Sequence, residues 1–106
     1  MNLPVAITDR AFDELNAGYV WWAENRSADQ ALQWYNGFMA QIKALNENPT
    51  QFPIAAENEE FPYEVRQRNY GLGGSLTHRA VFTIRPDMVL VLRIRHLAQD
   101  KISADD

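Results

Sequence analysis

The chain predicts an α+β fold: an N-terminal strand, an antiparallel helical hairpin, then a three-stranded antiparallel sheet, in the order β-α-α-β-β-β. Three observations point there. The stretch from Thr77 to His96 holds two β-rich runs split by Arg85-Pro86-Asp87, with arginines recurring at alternate positions. Two earlier segments repeat apolar residues at helical spacing, each behind a residue suited to capping a helix. A brief apolar run, Leu3–Ile7, precedes them.

That first run reads as a strand, and Pro4 places it at a sheet edge or a strand start. Thr8 then caps a helix, with Asp9 and Asp13 near the positive end of its dipole. Phe12, Leu15, Tyr19 and Trp22 mark its buried stripe, flanked by Ala11 and Ala23, and it ends near Asn25–Arg26. Ser27 and Gln30 form a capping box for a second helix. Ala31, Tyr35, Phe38, Ile42 and Leu45 make its stripe, widened by Leu32, Trp34 and Met39, until Asn48-Pro49 stops it. So short a connection forces an antiparallel hairpin.

Residues 50–62 form a loop with an acidic patch, Glu57, Glu59 and Glu60, expected to be solvated, with pairing to Arg66 or Arg68 as the alternative. Glu64–Tyr70 alternates weakly and reads as a strand. Gly71-Leu-Gly-Gly-Ser75 is a turn rather than a phosphate loop, since no helix N-terminus follows it. Thr77–Ile84 and Met88–His96 are the last two strands, and a polar tail follows. A three-residue loop at 85–87 pairs Ile84 with Met88, Phe82 with Leu90 and Ala80 with Leu92. Ala80, Phe82, Ile84, Met88, Leu90, Leu92 and Ile94 then face the helices. Arg79, Val81, Thr83, Val89, Val91, Arg93 and Arg95 share the other face. A two-residue or four-residue loop would mix the two sets and turn Arg79 into the apolar face, and an unpaired buried guanidinium is costly.

The length of 106 residues and 46% hydrophobic content fit one domain, 1–106. There is no cysteine, which excludes disulfides and thiolate metal sites. Two histidines and scattered carboxylates lack metal-ligand spacing, and no cofactor is implied. No apolar run approaches the roughly 20 residues of a membrane span, and the N-terminus does not read as a secretion signal. Net charge is −4, against a protein that coats nucleic acid. Yet Arg66, Arg68, Arg79, Arg85, Arg93 and Arg95 fall within thirty residues that hold one acid, Asp87. The average conceals a basic segment in an acidic chain.

Thr77-His-Arg-Ala-Val-Phe, a turn, Val89-Leu-Val-Leu-Arg-Ile-Arg-His96 and Gln99-Asp100 resemble the RelE/ParE superfamily of type II toxin–antitoxin toxins, its ParE-like branch more than its RelE-like branch. Weaker matches are the opening strand with Thr8, the series Ala31, Tyr35, Ile42, Leu45, Pro49, and Arg66. The resemblance implies a bacterial cytoplasmic toxin that inhibits growth, serves in plasmid stabilisation, and is neutralised by a cognate antitoxin. ParE-like members bind DNA gyrase. RelE-like members are ribosome-dependent endoribonucleases of messenger RNA.

RNA cleavage by a 2′-hydroxyl needs a base, an acid and cations around the phosphorane. Arg79 matches the position of the strand arginine that RelE-like nucleases hold at the phosphate, and Arg95 and His96 complete the catalytic candidates. His78 should face the core. After His96 the chain reads Leu97-Ala98-Gln99-Asp100, with no further cation or base until Lys101, so the nuclease set is incomplete. The ParE-like expectation is a face for a large target built from Arg66, Arg79, Arg93 and Arg95. Trp21 and Trp34 fall off the main stripes and become candidates for antitoxin contact. A third reading is an inactive relative kept as an interaction module.

Overall fold

The structure, a computed structural model, describes residues 2–99. The tail positions Asp100 and Lys101 lie outside the described residues. The elements are β1 (Val5–Ile7), α1 (Asp9–Asn25), α2 (Ala28–Lys43), β2 (Arg66–Tyr70), β3 (His78–Ile84) and β4 (Val89–His96), with short 3-10 turns between α2 and β2 and after β2. The strands form one sheet in the order β1-β4-β3-β2. β1 runs parallel to β4, and the other neighbours are antiparallel. The predicted α+β order is the one observed.

Both helix starts follow their local chemistry. Thr8 Oγ1 accepts the Ala11 N–H, and Ser27 Oγ accepts the Gln30 N–H. Thr8 also donates its hydroxyl to the Leu92 carbonyl, so the cap of α1 is stitched to β4. α2 stops at Lys43 and tightens into a 3-10 turn before Asn48, which sits in the left-handed region at φ 50°. Ala11 and Leu15 of α1 pack with Trp34, Phe38 and Ile42 of α2 over Ala80, Phe82, Val89, Val91 and Ile94 of the sheet. Phe12 and Leu32, expected within the buried stripes, are exposed.

The β3–β4 register departs from the expected one. Ile84 pairs with Val89, so the loop holds four residues, closed by the Arg85 N–H donating to the Met88 carbonyl at 2.8 Å. The inward residues of β4 are therefore Val89, Val91 and Ile94, not Met88, Leu90 and Leu92. The extra loop residue does not drive Arg79 into the core, because a β-bulge at Leu92 restores the phase. Phe82 pairs with Val91, yet Val81 pairs with Arg93 and Arg79 with Arg95. Two single-residue shifts offset each other.

The second sheet face is not open to solvent either. Residues 52–65 fold across it, where Ala55 and Val65 bury Val81 with Phe61 and Leu92 beside them. The segment is tied down by the Ala55 N–H to Val65 carbonyl bond, the Gln67 N–H to Pro53 carbonyl bond, and Thr83 Oγ1 donating to the Glu64 carbonyl.

Candidate functional site

The arginines expected to form a cationic surface are largely turned inward. Arg79 is only 6% exposed, and its guanidinium forks onto the Glu57 carboxylate, with Nη2 to Oε2 at 2.7 Å. Its Nη1 also donates to Gln67 Oε1 at 3.1 Å. Glu57, expected in a solvated patch, is 1% exposed. A carboxylate enters such an interior only when its charge is matched and its oxygens are occupied, and Arg79 does both. The same contact removes Arg79 from reach of a phosphate.

Arg93 is equally buried. Its Nε and Nη2 hold Glu14 of α1 at 2.8–3.1 Å, and Glu14 Oε1 also accepts the Ile94 N–H at 3.0 Å. Glu14 thus seals a stretch of β4 edge past the end of β1. Glu14→Ala should cost about 2–4 kcal/mol, because it strands a buried guanidinium and a strand N–H together. Glu14→Gln should cost roughly half as much, and urea unfolding of the pair checks the ranking.

Arg66 bonds Glu64 and the Thr50 and Phe52 carbonyls, while Arg68 bonds the Gln41 carbonyl and lies over the Phe52 ring. Arg66 and Arg95 stay partly exposed. The basic segment of the sequence is thus mostly a set of internal ties to carboxylates and carbonyls of the acidic remainder. The expected exposed face of Arg66, Arg79, Arg93 and Arg95 is corrected accordingly. The fold closes over two of its four members.

Nor does the catalytic trio converge on an open site. Arg79 and Arg95 are cross-strand neighbours, but Arg79 is engaged by Glu57. His96 is exposed, and its Nδ1 accepts the Ala98 N–H at 3.0 Å while its backbone N–H donates to Gln99 Oε1. The ring therefore helps to fold the turn after β4. His78 faces the helices as expected. Its ring lies 4.9 Å from both Trp34 and His96, and its Nδ1 is 2.8 Å from Thr77 Oγ1. Burial, helped by the nearby His96 charge, lowers its pKa to about 4.

The unfolded chain therefore takes up that proton first. The neutral ring's contribution to stability is complete above about 6.5 and is lost as pH falls toward about 4. Thermal midpoints should fall across this window, with a shallower slope for His78→Gln.

The tryptophans separate. Trp34 is fully buried, which corrects its expected place on a partner surface. It stands edge-on to Phe38 at 5.5 Å and fills the space over Gly18, where a Cβ would strike the indole. Trp21 is 49% exposed, edge-on to Trp22 at 5.6 Å, with the Arg26 guanidinium 5.8 Å from its ring centre. These residues line a groove of about 550 Å³ between the C-terminal half of α1 and the adjoining ends of β3 and β4. Thr77 and His78, then Ile94 and His96, form its other wall. Sequence reasoning singled out Trp21 and the histidines but missed Glu14, Gly18 and Arg26, whose roles arise from packing between helix and sheet.

Among the described residues no group of three or more His, Asp or Glu is placed to hold a metal ion, and no helix is long and apolar enough to cross a membrane. No curated protein matches the chain. Among solved structures it is similar to a chain of the chromosomal ParDE toxin–antitoxin system from P. aeruginosa, with a TM-score of 0.70 at 22% identity over 89% of this chain and 95% of that one. At that identity the likeness shows the fold. The family profile of the ParE toxin of the type II toxin–antitoxin system parDE matches residues 5–101, and on that match the chain belongs to the ParE toxin family.

Proposed function

We propose that this chain, acting as one domain, is the toxin of a type II toxin–antitoxin pair in the bacterial cytoplasm. It inhibits growth by binding a large target such as DNA gyrase, and a cognate antitoxin neutralises it. The observation that carries binding rather than RNA cleavage is the buried fork of Arg79 on Glu57. A phosphate clamp must present its guanidinium, and this one is spent inside the protein. The use of His96 Nδ1 as a backbone acceptor supports the same reading. Of the arginines expected at the target, Arg66 and Arg95 remain partly exposed for contact. Trp21, exposed on α1, is the proposed antitoxin contact.

Expression of the isolated chain should slow growth, and the purified protein should inhibit supercoiling by gyrase without creating new transcript 5′ ends. New ends that disappear in a folded His96→Ala variant would establish the endoribonuclease alternative. Unimpaired growth would leave the inactive interaction module.

A further inference from the structure

We infer that the outer edge of β2 takes up an extended acidic segment of the toxin's protein target. The segment joins the sheet antiparallel to β2. Its backbone pairs with Asn69, and a carboxylate side chain opposite Arg68 meets that guanidinium. The naming of the target as its source rests on the binding reading above, whereas the chemistry of the edge does not.

Backbone pairing is the first support. β2 ends the sheet, so one of its sides faces no strand. Its beginning is covered, where Ile54 bridges Arg66 and the Gln67 N–H donates to the Pro53 carbonyl. Backbone groups on one side of an antiparallel strand recur at every second residue. Asn69 therefore turns its N–H and carbonyl to the same side as the Gln67 N–H, and no segment among the described residues pairs with them there. Unpaired edge groups of this kind are a template for another strand. Antiparallel addition continues the sense that Ile54 already has against Arg66.

Charge is the second support. Arg66, Arg79 and Arg93 each hold a carboxylate. Arg68 instead donates to the Gln41 carbonyl at 3.1 Å and lies 4.7 Å from the centre of the Phe52 ring. It is half-buried, and burial lowers its pKa. A desolvated guanidinium without a counter-charge favours an anion. The recess beside it, of about 440 Å³, reaches from Gln41 and Pro53 to Gly71 and Leu76, and no carboxylate lines it. Shape is the third support. In an antiparallel strand the residue opposite Arg68 shares its face, and the residue opposite Tyr70 stands two positions earlier on that same face. Leu76, 57% exposed, lies on this recess beside Tyr70. The edge thus selects an apolar residue followed two positions later by an acid. RNA would find a single guanidinium in this recess, too few cations to hold its backbone. Trp21, the proposed antitoxin contact, stands on α1, which is tied to β4, and this leaves the β2 edge to the target.

NMR titration of the backbone amides with acetyl-Val-Leu-Thr-Glu-amide and its counterpart acetyl-Val-Leu-Thr-Lys-amide tests the edge. The Asn69 amide should move downfield with the glutamate peptide, which should bind roughly 10-fold more tightly than the lysine peptide. Arg68→Gln should abolish that preference, and Arg68→Lys should keep it. Asn69→Pro removes an outward N–H and leaves the β3 ladder intact, so it should lose the peptide while thermal midpoints confirm that the fold persists. Gyrase supercoiling tests the source. Arg68→Gln should raise the half-inhibiting concentration by roughly 10-fold and change binding of the protein encoded by the adjacent reading frame by less than about twofold. If the wild type leaves gyrase uninhibited while the glutamate peptide moves Asn69, the edge stands and the target reading falls. If Arg68→Gln weakens the adjacent-gene protein and inhibits gyrase as the wild type does, the source assigned to the segment is overturned. Equal binding of the two peptides, an unmoved Asn69 amide, or displacement of the glutamate peptide by single-stranded RNA overturns the inference.

Discussion

Glu57→Ala should destabilise the fold by about 3–5 kcal/mol, because it leaves the buried Arg79 guanidinium without its counter-charge. Against a total stability of about 5–15 kcal/mol for an ordinary domain, that change alone approaches global unfolding. Arg79→Ala should be nearly as damaging, since it removes the guanidinium that balances the charge of a carboxylate that is 1% exposed. Glu57→Gln keeps hydrogen-bond acceptance at one oxygen and should lose about half as much. The double variant Glu57→Leu/Arg79→Met removes both charges together and should recover most of the loss, as replacing a whole buried pair with apolar groups often does. Urea unfolding of the wild type, Glu57→Leu, Arg79→Met and the double variant forms a cycle, and a coupling below about 0.5 kcal/mol would show that the pair does not act as a unit. The result bears directly on function. Loss of toxicity in Arg79→Ala follows from loss of the fold and so says nothing of catalysis, whereas a stable double variant that still inhibits growth would show Arg79 to be dispensable to the toxic act.

Trp34→Ala should cost about 3–5 kcal/mol, the range for emptying a fully buried aromatic site. The space under Trp34 is reciprocal. A Cβ at Gly18 would collide with the six-membered ring of the indole, with its Cζ3 and Cζ2 at 3.0 and 3.1 Å. Alanine in place of an interior helical glycine ordinarily stabilises by about 0.5–1 kcal/mol. Here the collision should outweigh that gain, and Gly18→Ala should come out destabilising by about 1–2 kcal/mol. Trp34→Phe removes the part of the ring that meets Gly18. In that background the sign should reverse, with Gly18→Ala neutral or stabilising. Thermal unfolding of the two single variants and the double tests it, and strict additivity would mean that the two sites do not share this volume.

What the sequence disclosed was chiefly local. Thr8 and Ser27 cap their helices as read, because a cap is decided within three residues of chain. The strands and their order were legible from period-two patterning and turn residues, and the resemblance named the family. The register was not legible, because a fourth loop residue and a bulge at Leu92 cancel, and neither leaves a signature in apolar spacing. Trp34 was misplaced because its burial depends on a gap at Gly18 in the other helix. The expected cationic face assumed that arginines on one strand side meet solvent. Residues 52–65 cover that side, and the partner of Arg79 lies 22 positions away in a loop whose acids all look alike in sequence.

The parallel pairing of β1 with β4 has a consequence for synthesis. The strand made first is completed by the strand made last. Val5 lies beside Val89, Thr8 reaches Leu92 across 84 positions, and Glu14 holds Arg93 across 79. Until β4 has been made these partners are absent, so the growing chain has two helices but no completed sheet to lay them on. A molecule of this topology completes its sheet, and the surfaces built on it, only once β4 is available to β1.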